Sequence, residues 1–201
     1  NVIPKPLQKP HPPIWMACSQ ADSFEIAANK GLGVLSFTSD EPEELKQRLN
    51  RYRELIPKAE PVGSFVNNRV AGFTPMYCGE SMGEAVEVGA TGAAWYQTSF
   101  ISKIKAGWRG REVKSYEYAR EAAEKVPEDV IWDLDRYKKR GMGKGGWCIG
   151  DPEEVIRQAK RYEKNGFDDL LFIVQTGKIP HEKIMASLER FASEVMPQFE
   201  D

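Results

Sequence analysis

Residues 13–31, PIWMACSQADSFEIAANKG, decide how the rest of the chain is read. The apolar run Ile14–Ala17 predicts a buried strand, Cys18–Ala21 a short polar turn, and Asp22–Lys30 a helix stopped by Gly31. A strand that runs straight into a helix leaves the first helical N–H groups unpaired at the strand's C-terminal end. That corner carries partial positive charge and suits a phosphate. Ser19 and Ser23 lie one helical turn apart and bring hydroxyls to the same place. Locally, the commoner reading of Ser19 is a plain N-cap on the helix, since N-caps far outnumber phosphate sites.

Upstream, NVIPKPLQKPHPP holds five prolines in thirteen residues and suits neither a helix nor a central strand. It reads as a connector, and with Asn1 at its head the chain is expected to be a fragment of something longer. Downstream, Gly33–Phe37 (GVLSF) is a second short strand. Asp40 and Glu43 then form a capping box ahead of a helix with Leu45, Leu49, Tyr52 and Ile56 on one stripe, broken by Pro57 and Pro61. A third strand falls within Arg69–Cys78, followed by a helix over Ser81–Val88. Residues 89–146 look least regular: an aromatic and small-residue patch (GAAWYQTSF), a basic patch with Arg109 and Arg111, two helical runs (Tyr116–Lys125, Pro127–Lys139) and the turn GMGKGG. So long a stretch between βα units suggests a lid-like insertion. Beyond it, Asp151 caps a helix with Pro152 at its first position and Val155, Ile156, Ala159 and Tyr162 on its buried face. Asp168–Val174 (DDLLFIV) reads as a strand covered on both faces, and Pro180 opens a last helix with Ile184, Leu188, Phe191 and Val195 on one stripe. Four βα repeats predict an α/β fold with a parallel sheet. The organisation is a connector (1–13), three βα units (14–88), an insertion (89–146), then the last βα unit and C-terminal helix (147–201).

Composition narrows the function. The net charge of -2 arises from well-mixed signs, which argues against nucleic acid or an anionic membrane surface as partner. No apolar run approaches the ~20 residues of a membrane span. Cys18, Cys78 and Cys148 form neither a CxxC pair nor a metal-ligand spacing; buried thiols in a reducing cytoplasm are expected, and no metal site.

Two blocks carry a resemblance. PKPLQKPHPPIWMACSQADSFEIAANKGLG, and the tail GDPEEVIRQAKRYEKNGFDDLLFIVQTGKIPHEKIMASLERFASEVMPQF, resemble the bacterial luciferase-like monooxygenases, flavin- or deazaflavin-dependent (β/α)8 TIM barrels. The tail carries the more specific likeness, and the centre matches only as the place of a variable insertion. The resemblance implies the C-terminal half of such a barrel, strands five to eight, with the insertion between the last two βα units. A complete barrel needs roughly 250 residues. Four strands leave two open edges, so pairing with a second copy or with the other half-barrel is expected.

By the same resemblance, the backbone N–H groups of Cys18 and Ser19 and the side chains of Ser19 and Ser23 hold the 5′-phosphate of FMN, or of a deazaflavin. Gln175 and Gly177 line the flavin pocket, and His181 touches the substrate pocket. The implied activity uses reduced FMN and O2 to oxygenate a small organic substrate, with a flavin reductase as possible supplier; hydride transfer with a deazaflavin is the alternative. The cofactor carries the chemistry, so the lack of a nucleophile–base pair is expected and no catalytic residue is assigned. Asp168 and Asp169 sit at the wrong end of their strand for acid–base work, and His11 lies in the connector, away from chemistry. A non-catalytic half-barrel and a sugar-phosphate enzyme are the rivals.

Overall fold

The computed structural model describes residues 3–37, 41–108 and 117–199. In chain order its elements are β1 (Trp15–Ala17), α1 (Ala21–Asn29), β2 (Gly33–Phe37), α2 (Lys46–Leu55), β3 (Val70–Cys78), α3 (Met82–Glu84), α4 (Thr91–Trp108), α5 (Glu117–Glu124), α6 (Leu134–Gly141), β4 (Cys148–Gly150), α7 (Pro152–Lys164), β5 (Asp169–Ile173) and α8 (His181–Arg190). The chain divides into two compact units, Asn1–Thr74 with Arg157–Phe172, and Pro75–Ile156 with Ile173–Asp201. The capping residue Asp40 and the basic pair Arg109 and Arg111 lie outside the described residues.

In the first unit β1, β2 and the start of β3 are parallel neighbours, with Trp15 opposite Gly33 and Val34 opposite Val70. The helices form where the apolar spacing places them. Leu49, Tyr52 and Ile56 are buried together with Phe24, Ala27 and Ala28 of α1. The Tyr52 hydroxyl lies 3.0 Å from the carbonyl oxygens of Leu32 and Asn67, so the one polar atom on that stripe has an acceptor. Gly31 ends α1 at φ +67, a conformation open to glycine. His11 is a structural ring. It stacks on Phe65 at 4.8 Å, and its Nε2 accepts from the Ser64 N–H at 2.8 Å.

Two expectations of burial fail here. β1 exposes Trp15 (37%) and β5 exposes Leu171 (44%), although both were expected to be buried. Each of these strands has one paired neighbour among the described residues, β2 for β1 and β3 for β5, which leaves an edge open. Acid–base pairs fasten β5 at its start. Asp168 Oδ2 accepts from Arg53 Nη2 at 2.5 Å and from the Val70 N–H at 2.6 Å, while Arg69 grips Asp169. The two aspartates are strand anchors.

In the second unit the end of β3 pairs in parallel with β4, Met76 opposite Cys148. β4 is a strand that GMGKGGWCIG did not announce, because three residues are too few to show a period. The expected helix over Ser81–Val88 does not stop there. α3 passes through a π turn, Ala85–Ala90, into α4, so residues 82–108 are helical throughout. The "irregular" patch is therefore a helix. Its buried stripe consists of Ala85, Ala90, Ala93 and Ala94, whereas Trp95 and Phe100 face outward, which inverts the usual apolar pattern. The run expected over Pro127–Lys139 splits at Asp133, which caps α6 by accepting from the Arg136 N–H. Asp151 caps α7 as expected, accepting from Glu154 N–H at 3.0 Å. α8 closes the end of β3: the Ser187 hydroxyl accepts from Cys78 N–H at 2.8 Å and Arg190 donates to Cys78 O at 2.9 Å.

α8 is tied to α3 as well. Lys183 Nζ lies 2.5 Å from Glu84 Oε1, and Glu84 also accepts from Glu80 N–H and the Tyr77 hydroxyl. These bonds, the Lys183 ammonium first, hold the Glu84 carboxyl below its ordinary 4.5. A carboxyl whose folded pKa is depressed stabilises the fold fully above pH 4.5, and that stability fades as the pH falls through the lower folded value. Urea midpoints of wild type and Glu84→Gln are expected to differ at neutral pH and to converge as the pH falls below the depressed folded value.

Candidate functional site

The chemistry-bearing residues fall into one group per unit. In the first, β1 hands over to α1 through Cys18, Ser19 and Gln20. Gln20 is the N-cap of α1, with extended backbone, so the local reading of Ser19 as the cap gives way. Ser23 closes the turn instead: its hydroxyl donates to Gln20 O at 2.6 Å and accepts from Gln20 N–H at 3.2 Å. The Cys18 N–H donates to Leu35 O at 2.8 Å. That donor belongs to the β1–β2 pairing and is occupied there.

The Cys18 side chain is buried, with Sγ 3.4 Å from both Met16 O and Ser23 O. Burial pushes its thiol up to about 11, against a smaller lowering by Ser23. At neutral pH it is protonated, and no thiolate repels an anion here. The other two cysteines are also free and buried, and the described residues contain no group of three metal-ligating side chains.

Sequence reading missed Arg48. It projects from α2, and its Nη1 donates to Ser19 O at 3.0 Å, placing a guanidinium at the turn. It lies 29 residues from Ser19 in sequence, and only the packing of α1 on α2 brings the two together. No local signal marks it apart from the four other charged residues in KQRLNRYREL, the ten residues of α2. The start of α1, with Ser23 in its first turn, and the Arg48 guanidinium on Ser19 O thus meet at the C-terminal end of β1.

The second group lies in the other unit, in the loop between β5 and α8. Gln175, Gly177 and His181 are all exposed. Gly177 has φ +59 and lines a cleft of about 490 Å³ whose wall is the first half of α4. Gln175 and His181 do not line it. The loop approaches α4 at Gly92, where a Cβ would stand 2.9 Å from Thr176 O and 2.8 Å from Ile179 Cδ1. Only glycine allows that approach.

The strand pairings define an α/β fold with a parallel sheet. The chain belongs to the luciferase-like monooxygenase family, whose profile matches residues 1–172. The match runs through the centre as well as the head, and enters the tail only as far as Phe172. The chain is 29% identical over 203 residues to the oxygenase component of the flavin-dependent trigonelline monooxygenase of Acinetobacter baylyi, covering 98% of this chain and 51% of that protein. It thus spans about half the length of the curated relative it matches. Among solved structures it resembles the oxygenating constituent of 3,6-diketocamphane monooxygenase from Pseudomonas putida, a complex with FMN (TM-score 0.58, 18% identity, 94% of this chain, 49% of that one). It resembles equally the coenzyme F420-dependent tetrahydromethanopterin reductase of Methanopyrus kandleri (TM-score 0.58, 16% identity, 94% and 51%). At these identities the two structures speak for the fold alone.

Proposed function

We propose that this chain carries the flavin-phosphate site of a flavin-dependent monooxygenase and corresponds to the C-terminal half of its relatives' barrel. The observation that carries the reading is the corner at Ser19, Ser23 and Arg48. Its donor set fits a phosphate monoester: the first N–H groups of α1, two hydroxyls and one guanidinium, with Asp22 in the same first turn. Ser19 N–H takes the place assigned to Cys18, and the Ser23 hydroxyl turns from Gln20 O toward the phosphate. The open edges of β1 and β5, with Trp15 and Leu171 exposed, support a sheet completed by another barrel half.

The bound flavin supplies the oxygen activation when reduced. The chain's own residues hold its phosphate and so fix where the ring system lies; Gly177 and the loop around it shape a neighbouring cleft. Gln175 stays a proposed contact of the flavin, and His181 of the substrate. The A. baylyi relative is described as an oxygenase component, and a separate reductase supplying reduced flavin is proposed here too. Coenzyme F420 is the second reading, favoured by the fold shared with an F420-dependent reductase.

Titration of the full chain with FMN, followed by flavin fluorescence quenching, tests the proposal. Arg48→Ala and Ser23→Ala are each expected to weaken FMN by about tenfold, the loss of one hydrogen bond to a charged group. Unchanged affinity in both variants would remove the corner from the site. Saturable binding of F420 in place of FMN would select the second reading.

A further inference from the structure

His11 holds the proline-rich connector to the loop between α2 and β3, and the roles of its two ring nitrogens follow from their partners. Nδ1 lies 2.8 Å from Pro12 O, a carbonyl that can only accept, so Nδ1 carries a hydrogen. Nε2 lies 2.8 Å from the Ser64 nitrogen, whose N–H can only donate, so Nε2 is a bare acceptor. One protonation state satisfies both: the neutral ring with its hydrogen on Nδ1. The imidazole also stacks on Phe65, with 12° between the planes, and at Gly63 a Cβ would stand 2.6 Å from Nε2. The loop is shaped to receive the ring.

A second proton removes that fit. An imidazolium donates from both nitrogens, and two N–H groups then confront each other across the former bond. The face of Phe65 attracts an imidazolium, but the neutral ring already makes the same stack. The elements around the ring are the connector and the loop, whose charged residues are Lys5, Lys9, Lys58, Glu60 and Arg69. Arg69 is committed to Asp169, and among the described residues no acid pairs with His11. Beyond the ring the chain is held separately: Ile14 O accepts from the Gly33 N–H and from Asn67 Nδ2, each at 3.0 Å. Loss of the Ser64 bond therefore frees the connector and stops at β1.

We propose that His11 is a pH-operated latch. Neutral, it pins the connector to the loop; on taking up a proton, in the range about pH 6.5 where imidazoles titrate, it lets go. Release bares the face of Phe65 in a loop whose Val62 and Val66 are already exposed, so acid enlarges the apolar surface at the loop's tip. The latch requires no flavin.

Amide hydrogen exchange of the full chain tests this, read at Ser64 as protection relative to an unstructured amide at the same pH. From about pH 7.5 to about pH 5, Ser64 is expected to lose roughly tenfold in protection, the worth of one hydrogen bond. Gly33, whose N–H is bonded to Ile14 O, is expected to keep its own. His11→Gln offers Ser64 an uncharged side-chain oxygen at either pH, and its protection is expected not to change with pH. His11→Phe keeps the stack and removes the acceptor, so low protection is expected throughout. Ring nitrogen NMR shifts of His11 are expected to place the hydrogen on Nδ1 alone at about pH 7.5. Constant protection of Ser64 in the unaltered chain, a pH-dependent loss that persists in His11→Gln, or a hydrogen on Nε2 at neutral pH would overturn the latch.

Discussion

Trp147→Ala is expected to lower the unfolding free energy by roughly 3–5 kcal/mol, the range for removing a buried aromatic side chain. Trp147 is fully buried in the cluster formed by Tyr77, Ala85, Ala90, Ala93, Ala94, Tyr137 and Ile149. Its indole fits against Gly141, where a Cβ would stand 2.1 Å from the ring, so the neighbouring backbone is built around it. The small residues of the α3–α4 stripe have no side chains that extend into the vacated volume, and the cavity persists. Net stabilities of whole domains are only about 5–15 kcal/mol, so the loss takes a large share. Trp147→Phe is expected to cost much less. The Trp147 Nε1–H is buried with no hydrogen-bond partner among the described residues, and phenylalanine removes that orphan donor together with part of the ring. Urea denaturation of the two variants checks the order; equal losses would mean that the phenyl ring recovers none of the lost packing.

Asp168→Ala is expected to cost roughly 2–3 kcal/mol, more than an ordinary surface ion pair. The difference lies in the second bond. The Asp168 carboxylate holds Arg53, and it also accepts from Val70 N–H, which begins β3. Arg53 in turn donates to the carbonyl and side-chain oxygens of Asn68, so the loop before β3 depends on the same guanidinium. Asp168→Asn keeps an acceptor for Val70 while removing the charge, and about 1 kcal/mol is expected. Its deficit relative to wild type should shrink in molar salt, because the ion pair it removes is partly exposed and screened. Denaturation midpoints with and without salt measure both effects. An alanine variant no worse than the asparagine one would show that the backbone bond contributes nothing.

These two residues mark the limit of what the sequence discloses. Asp168 was legible as the start of a strand, but its partners stand 98 and 115 positions away and only the fold brings them to it. Trp147 sits beside a glycine-rich stretch read as a turn; at Gly141 the indole occupies the space a Cβ would take, while at Gly145 backbone atoms of Arg140 and Gly141 do. The stripe Leu49, Tyr52 and Ile56 and the cap Asp151 were readable because large apolar residues and cap chemistry follow local rules. Residues 89–108 hid a helix whose buried face is built of glycine and alanine with Gln97 and Thr98. The strand-to-helix turn at Ser19 and Ser23 was visible, whereas the ladder bond that occupies Cys18 N–H and the arrival of Arg48 from α2 were not. Both depend on register between elements, which local pattern does not carry.

The central claim is that the corner between β1 and α1 holds a flavin phosphate. Comparing FMN with riboflavin tests it most directly, since the two differ only in that group. Parallel quenching titrations of the full chain are expected to give at least about tenfold tighter binding of FMN, with the advantage abolished in Arg48→Ala. Equal affinities for FMN and riboflavin in the unaltered chain would contradict the account.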